Sequence, residues 1–214
     1  MNVLIIGATG NVGQHTVDYA LKNGHTVTAF GRSVEKIENL NPNLTIYKGD
    51  VTKLEDVQNA MQHQDVAILT FGAPLNKDTL FNVPDLCEKG TLITVDAMKG
   101  ANVPRLICMT AIGAGDSKGH GRFIFRNIIE PVLLGRIMED RTRQEEIVRN
   151  SQLPEWSIIR PTELSNDESS EVRFIKDLEN EKEPETISRE DVGRVLANLI
   201  TDKQYDKQTI LITN

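Results

Sequence analysis

Gly7-Ala8-Thr9-Gly10-Asn11-Val12-Gly13 follows the apolar run Val3 to Ile6 and opens a segment whose apolar residues, Val12, Val17, Ala20 and Leu21, recur at helical spacing. Glycines placed this way between a strand and a helix have separate duties. Gly7 permits a tight turn, Gly10 lets the backbone come close to a pyrophosphate, and Gly13 lets the helix pack near the sheet. The helix start offers free N–H groups and a partial positive charge to that pyrophosphate, which puts Thr9, Asn11 and Val12 in the same cradle. A structural turn without a ligand is the alternative, and the position in the first strand–helix unit argues against it.

Outward from this turn, Asn23-Gly24 stops the helix as a left-handed C-cap does, and Thr26 to Phe30 forms the second strand. The end of that strand reports which dinucleotide is bound, because an acid there would hydrogen-bond the adenosine ribose of NAD. The sequence instead reads Phe30-Gly31-Arg32-Ser33. Arg32 and Ser33 suit a 2′-phosphate, with no carboxylate at the strand end to repel it, so NADP(H) is preferred over NAD(H). A solvated loop position for Arg32 is the competing reading.

The remaining pattern alternates strand and helix. Thr45 to Tyr47 reads as a strand, Thr52-Lys53-Leu54-Glu55 as a capping box opening a helix to about Met61, and Asp65 to Phe71 as a buried strand. A loop over residues 72–77 precedes one long helix ending near Lys99-Gly100. Strands follow at Arg105 to Met109, Ser157 to Arg160 and Thr209 to Ile212, with a capped helix over Ser188 to Ile200. Apolar strands separated by helices predict an α/β fold, a single Rossmann-type doubly wound parallel sheet, with residues 1–214 as one NAD(P)-binding domain. The acidic stretch Ser165 to Glu171 reads as a surface excursion.

At 214 residues with 39% hydrophobic and 26% charged side chains, the chain suits one core. A net charge of -7 and a pI near 5.2 argue against nucleic-acid and acidic-membrane surfaces. No stretch is long and apolar enough for a membrane span. Cys87 and Cys108 fall in apolar segments and read as buried free thiols of a cytoplasmic protein. Met1 runs into the first strand, which leaves no room for a signal peptide. The four histidines lack ligand spacing, so no metal is expected.

Several stretches together resemble the atypical short-chain dehydrogenase/reductases, in particular NAD(P)H-binding proteins of the NmrA-like and biliverdin/flavin reductase kind. They are residues 7–13, 30–33 and Gly49-Asp50-Val51; 96–99 with Val103-Pro104-Arg105; and 110–114, Ile159-Arg160-Pro161-Thr162 and 187–192. The resemblance implies that Asp50 and Val51 flank the adenine and that Phe71, Gly72 and Ala73 line the middle of the cofactor. Thr110 would sit beside the nicotinamide, with Pro161 and Thr162 closing over its carboxamide side. Asp50 also reads as a turn aspartate, and Thr110 as a strand-end hydroxyl bonded to backbone.

Active members of the wider family reduce carbonyls with a serine and a Tyr-x-x-x-Lys pair, the tyrosine delivering a proton. Here Ala111 falls at the serine position, Ile137 at the tyrosine and Arg141 at the lysine. Arginine keeps its proton at any working pH and cannot replace the acid. Two readings survive. One is an NADPH-dependent reductase of a planar small-molecule acceptor, flavin or quinone, which takes hydride directly and a proton from water. Its pocket would come from the variable segments at about 113–139 and 162–187, with Phe123, Phe125, Ile128, Ile129 and Leu133 beside Arg122, Arg126 and Arg136. Ordinary helix packing explains the same apolar residues. The other reading is a non-catalytic sensor of the NADP(H) ratio that acts through a protein partner. A monomer or homodimer is expected.

Three smaller signals complete the reading. The mixed-sign run Glu139 to Glu146 reads as a solvated helix face. Arg160 could pair with a carboxylate or touch the cofactor. His120, between glycines, could gate the acceptor pocket or sit in a surface loop.

Overall fold

The structure is a computed structural model that describes residues 1–37, 41–122, 125–178 and 184–214. Its first half builds β1 (Asn2–Ile6), α1 (Asn11–Lys22), β2 (Thr26–Gly31), β3 (Leu44–Lys48), α2 (Leu54–Met61) and β4 (Val66–Leu69). Next come α3 (Lys77–Phe81), α4 (Leu86–Ala101), β5 (Arg105–Met109), α5 (Gly135–Arg149) and β6 (Glu155–Pro161). The short strands β7 (Leu164–Ser165), β8 (Arg173–Ile175) and β9 (Ile187–Ser188) precede α6 (Arg189–Asn198) and β10 (Gln208–Thr213).

Eight strands form one sheet in the order β3-β2-β1-β4-β5-β6-β10-β8. All neighbours run parallel except β8, which lies antiparallel against the outer side of β10. The chain order reverses between β1 and β4, and a crevice opens there beyond the carboxyl ends of the strands. Alternation along β1 sends Val3 and Ile5 into one apolar layer with α1 and α6, and Leu4 and Ile6 into the other with α2 and α4. Burying both faces explains why these strands are apolar throughout. The observed fold is the Rossmann-type α/β architecture read from the sequence.

The helix boundaries have local causes. Gly24 takes φ +81°, with Gly24 N–H donating to Leu21 O and His25 N–H to Ala20 O, a Schellman ending for α1. Asn102, at φ 56°, ends α4 the same way. The expected capping box at Thr52 is not formed. The Thr52 amide and hydroxyl both donate to the Asp50 carboxylate (2.9 and 2.8 Å), and α2 starts at Leu54 without a side-chain cap. The single long helix expected after residue 77 is two helices, α3 and α4, interrupted around Pro84, whose predecessor is pushed away from helical geometry.

Asp85, at the N-cap position of α4, makes no side-chain capping bond. Asp140 of α5 does that work instead, accepting from the amides of Cys87 and Glu88 at 2.9 Å each. Cys87 and Cys108 are buried free thiols. Residues Phe125–Leu134 wind with π-helical spacing into α5, and β7, β8 and β9 were not foreseen. No helix among the described residues is long and apolar enough to cross a membrane.

Candidate functional site

The turn after β1 builds the floor of a groove of about 220 Å³ at the strand reversal. Gly7 has φ +95°, and a Cβ there would stand 2.6 Å from the Phe71 amide nitrogen. Gly7 and Ala8 donate to Phe30 O at 3.0 and 3.2 Å, tying the turn to β2. Gly10 caps α1 with extended backbone and no side chain, and the first turn of α1 carries no acid. A Cβ on Gly10 would meet only Gly7 O, at 3.3 Å. A glycine-floored concavity over an uncapped helix start fits a diphosphate, which would satisfy those amides.

The lining divides into an end over the start of α1 and an end beyond β2 and β3. Gly7, Thr9 and Gly10 line the first, and Gly31, Arg32, Asp50 and Val51 the second. Phe30 stacks on Tyr47 (centroids 5.6 Å apart, 12° between planes) beneath that second end. The Thr52 amide bond holds the Asp50 carboxyl below its ordinary pKa against partial burial, with the Thr52 hydroxyl and Arg32 assisting. Asp50 is therefore a turn aspartate and a groove residue at once. Asn11, Val12 and Gly13 sit in the first turn of α1 behind this lining, with Val12 buried. Ser33 is exposed just past Arg32.

Beyond Phe71 and Gly72 the groove meets α5. The Arg141 guanidinium fills the place a Cβ on Gly72 would take, with Nη2 2.3 Å from that position. Its Nη1 donates to Met109 O (3.0 Å) and to Gln144 Oε1 (2.8 Å). Ile137, at the tyrosine position, is buried and apolar. No acid replaces the missing tyrosine at that position.

The run Glu139 to Glu146 is corrected by the structure. Asp140, Arg141, Gln144 and Glu145 face inward, and Asp140 and Glu145 are fully buried. Glu145 accepts from Arg160 through both oxygens (2.8 and 2.6 Å), from Thr110 Oγ1 (2.8 Å) and from Arg149 (3.0 Å). Asp116 adds a second carboxylate to Arg160 at 2.5 Å. Burial opposes the Arg160 charge, and the Glu145 and Asp116 contacts outweigh it, raising its pKa. The spacing 137, 141, 144, 145, 148 was the signal for this face: a helical stripe, apolar at its ends and read as solvated because Arg141, Gln144 and Glu145 between them are polar or charged.

Other expected positions lie apart from the groove lining. Thr110 is buried with its hydroxyl on Glu145, and Ala73 is half-buried past Gly72. Pro161 and Thr162 are buried, and Thr162 borders a small cleft with Ile112, Gly121 and Arg122. Of the expected acceptor residues, Phe123 lies outside the described residues. Ile128 and Leu133 are exposed, and Ile129 packs on the Ile112, Ile175 and Leu211 cluster. Arg160 pairs with carboxylates, one of its two expected roles.

Residues 7–203 match the profile of a family described as NAD(P)H-binding, and the chain belongs to that family. The fold is shared with ChuY, an anaerobillin reductase from Escherichia coli O157:H7 (21% identity, TM-score 0.80, 100% of this chain and 97% of that one). It is shared too with a wide-type short-chain dehydrogenase/reductase from Veillonella parvula in complex with NADP (18% identity, TM-score 0.82, 100% and 94%). The photosystem II assembly factor Ycf39 of Synechocystis is 27% identical over 117 residues, 54% of this chain and 35% of that protein. The chain spans between 35% and 60% of the length of the curated relatives it matches. The NAD(P)H-binding family and the Rossmann-type fold agree with the atypical short-chain dehydrogenase/reductase resemblance.

Proposed function

We propose that this chain is an NADPH-dependent reductase that passes hydride to a planar conjugated acceptor, a flavin or quinone. The observation that carries the reading is a glycine-floored groove whose far end has no proton donor at the position where carbonyl reductases keep one. In this reading the turn from Gly7 to Gly13 holds the diphosphate, Arg32 and Ser33 the 2′-phosphate, and Asp50 and Val51 the adenine. Phe71, Gly72 and Ala73 flank the central portion. The bound dihydronicotinamide supplies the hydride. Arg141, committed to Met109 O and Gln144, fixes the groove wall at Gly72 and moves no proton. An acceptor that takes its proton from water needs alignment and water exclusion from the protein, not an acid.

A specific contact favours the second reading, a non-catalytic NADP(H) sensor. The Thr110 hydroxyl, the polar group expected beside the nicotinamide, is donated to Glu145. Steady-state oxidation of NADPH against a panel of flavins and quinones separates the two. Sustained turnover establishes the reductase. Tight binding of NADPH with no turnover on any acceptor overturns it in favour of the sensor.

A further inference from the structure

Two cations stand at the outer end of the groove, Arg32 in its lining and Lys48 just outside it, and each has a carboxylate near it. Arg32 acts on Asp50, which is also held by Thr52. The second pair is Lys48 and Glu35, with Nζ 2.9 Å from Oε1. Nothing in the sequence pattern singled it out, and the expectation of an acid-free strand end overlooked Glu35.

Lys48 ends β3, with its Cα paired to that of Gly31, one residue before Arg32. Alternation along β3 turns Tyr47 towards Phe30 on one face and Lys48 to the other. That other face is the one on which Thr9 of the glycine turn lies, since a Cβ on Gly31 would stand 3.0 Å from Thr9 Cγ2. Lys48 thus stands two strands outward from β1, on the cradle's side of the sheet. Glu35 reaches it from the short turn Val34–Lys36, which begins straight after Ser33. The Lys48 hydrogen bond holds the Glu35 carboxyl below its ordinary pKa. Both side chains are about two-thirds exposed, at 67% and 65%. An ion pair that exposed is weakly held and readily exchanged for a stronger anion.

We propose that Lys48 is the second cation of a 2′-phosphate subsite, completing Arg32 and Ser33, and that Glu35 is the resident counter-ion which the phosphate displaces. The inference rests on the nucleotide-binding reading above. A 2′-phosphate carries up to two negative charges and three acceptor oxygens, more than one arginine can neutralise. Lys48 raises the preference for NADPH. Glu35 lowers it twice over, by occupying Lys48 and by repelling the incoming dianion. NADH, with a ribose hydroxyl at that place, is indifferent to both.

The test titrates the full chain and two variants with NADPH, NADH, 2′,5′-ADP and 5′-AMP. Lys48→Gln should weaken NADPH and 2′,5′-ADP by about three- to tenfold, the size expected of one exposed charge contact, and leave NADH and 5′-AMP within about twofold. Glu35→Gln should move NADPH the other way, tightening it about two- to fivefold. Opposite signs from neighbouring exposed residues exclude a folding defect as the cause. Both effects should shrink as salt rises. If the parent prefers 2′-phosphorylated ligands and neither variant alters that preference, the Lys48 assignment is overturned and the cofactor reading stands. If the parent binds none of the four, the cofactor reading falls and this inference with it.

Discussion

Arg160 of β6 grips Glu145 of α5 through both carboxylate oxygens, at 2.8 and 2.6 Å, where both side chains are withdrawn from solvent. Two fixed N–H···O bonds make a buried joint between sheet and helix, apart from the groove lining. Removing Glu145 leaves Arg160 with the exposed Asp116 carboxylate as its remaining counter-charge. Glu145→Ala should cost roughly 3 kcal/mol, the low end for breaking a buried ion pair because Asp116 still meets Arg160, and lower the thermal midpoint by several degrees. Glu145→Gln, which keeps the shape and some of the bonds, should cost less. A midpoint unchanged in Glu145→Ala would mean that the pair is bathed in water.

Gly13 is tested differently. A Cβ there would stand 2.2 Å from the carbonyl oxygen of Gly7, closer than any atom tolerates. Gly13→Ala must push α1 off the turn, so nucleotide affinity should fall by tenfold or more, about 1.4 kcal/mol per decade. Stability should drop by about 1–3 kcal/mol from overpacking. Fluorescence titration with NADPH reads the first effect and urea denaturation the second. An unaltered dissociation constant would show that the turn does not need its close approach.

Arg32→Glu should reverse the sign at the 2′-phosphate and weaken NADPH by tenfold or more, with little change for NADH. Parallel titrations check it. Equal affinities of the parent for the two cofactors would count against the role given to Arg32.

Asp191, at the start of α6, gives a pH prediction. It is fully buried, and burial alone would raise its pKa. Hydrogen bonds from Ser169, Arg194, the Ser170 amide and Ser188 overturn that and hold the carboxyl well below its ordinary value. The folded pKa lies below the unfolded value of about 3.9, so the charge stabilises fully above about pH 5 and loses its effect as pH falls towards 2. Asp191→Asn should therefore cost roughly 1–3 kcal/mol at pH 7 and progressively less below pH 4. Urea midpoints of parent and variant at several pH values measure the gap. A gap independent of pH would contradict the assignment.

The sheet and the glycine turn were legible because their signals are local. Residues 3–13 contain a whole strand, the turn and the helix start, and backbone sterics leave glycine few substitutes there. The strands alternate with helices at periods a single chain displays. The inward face of α5 was not legible, because Asp140, Arg141 and Glu145 meet partners 15 to 53 positions away in α4, β5 and β6. A charge in a sequence reads as solvated until its counter-charge is placed. Lys48 and Glu35 were missed for a related reason: their pairing depends on the register of β3 against β2, which no periodicity encodes.

Asp140 also bears on how this chain acquires its shape. The first turn of α4 lacks a cap of its own and borrows one from a residue 53 positions further on. Nothing near in sequence therefore rewards that turn for forming early, and the loop that closes it is long. The amides of Cys87 and Glu88 find their side-chain acceptor only when α5 is docked, which ties the start of α4 to the far half of the chain.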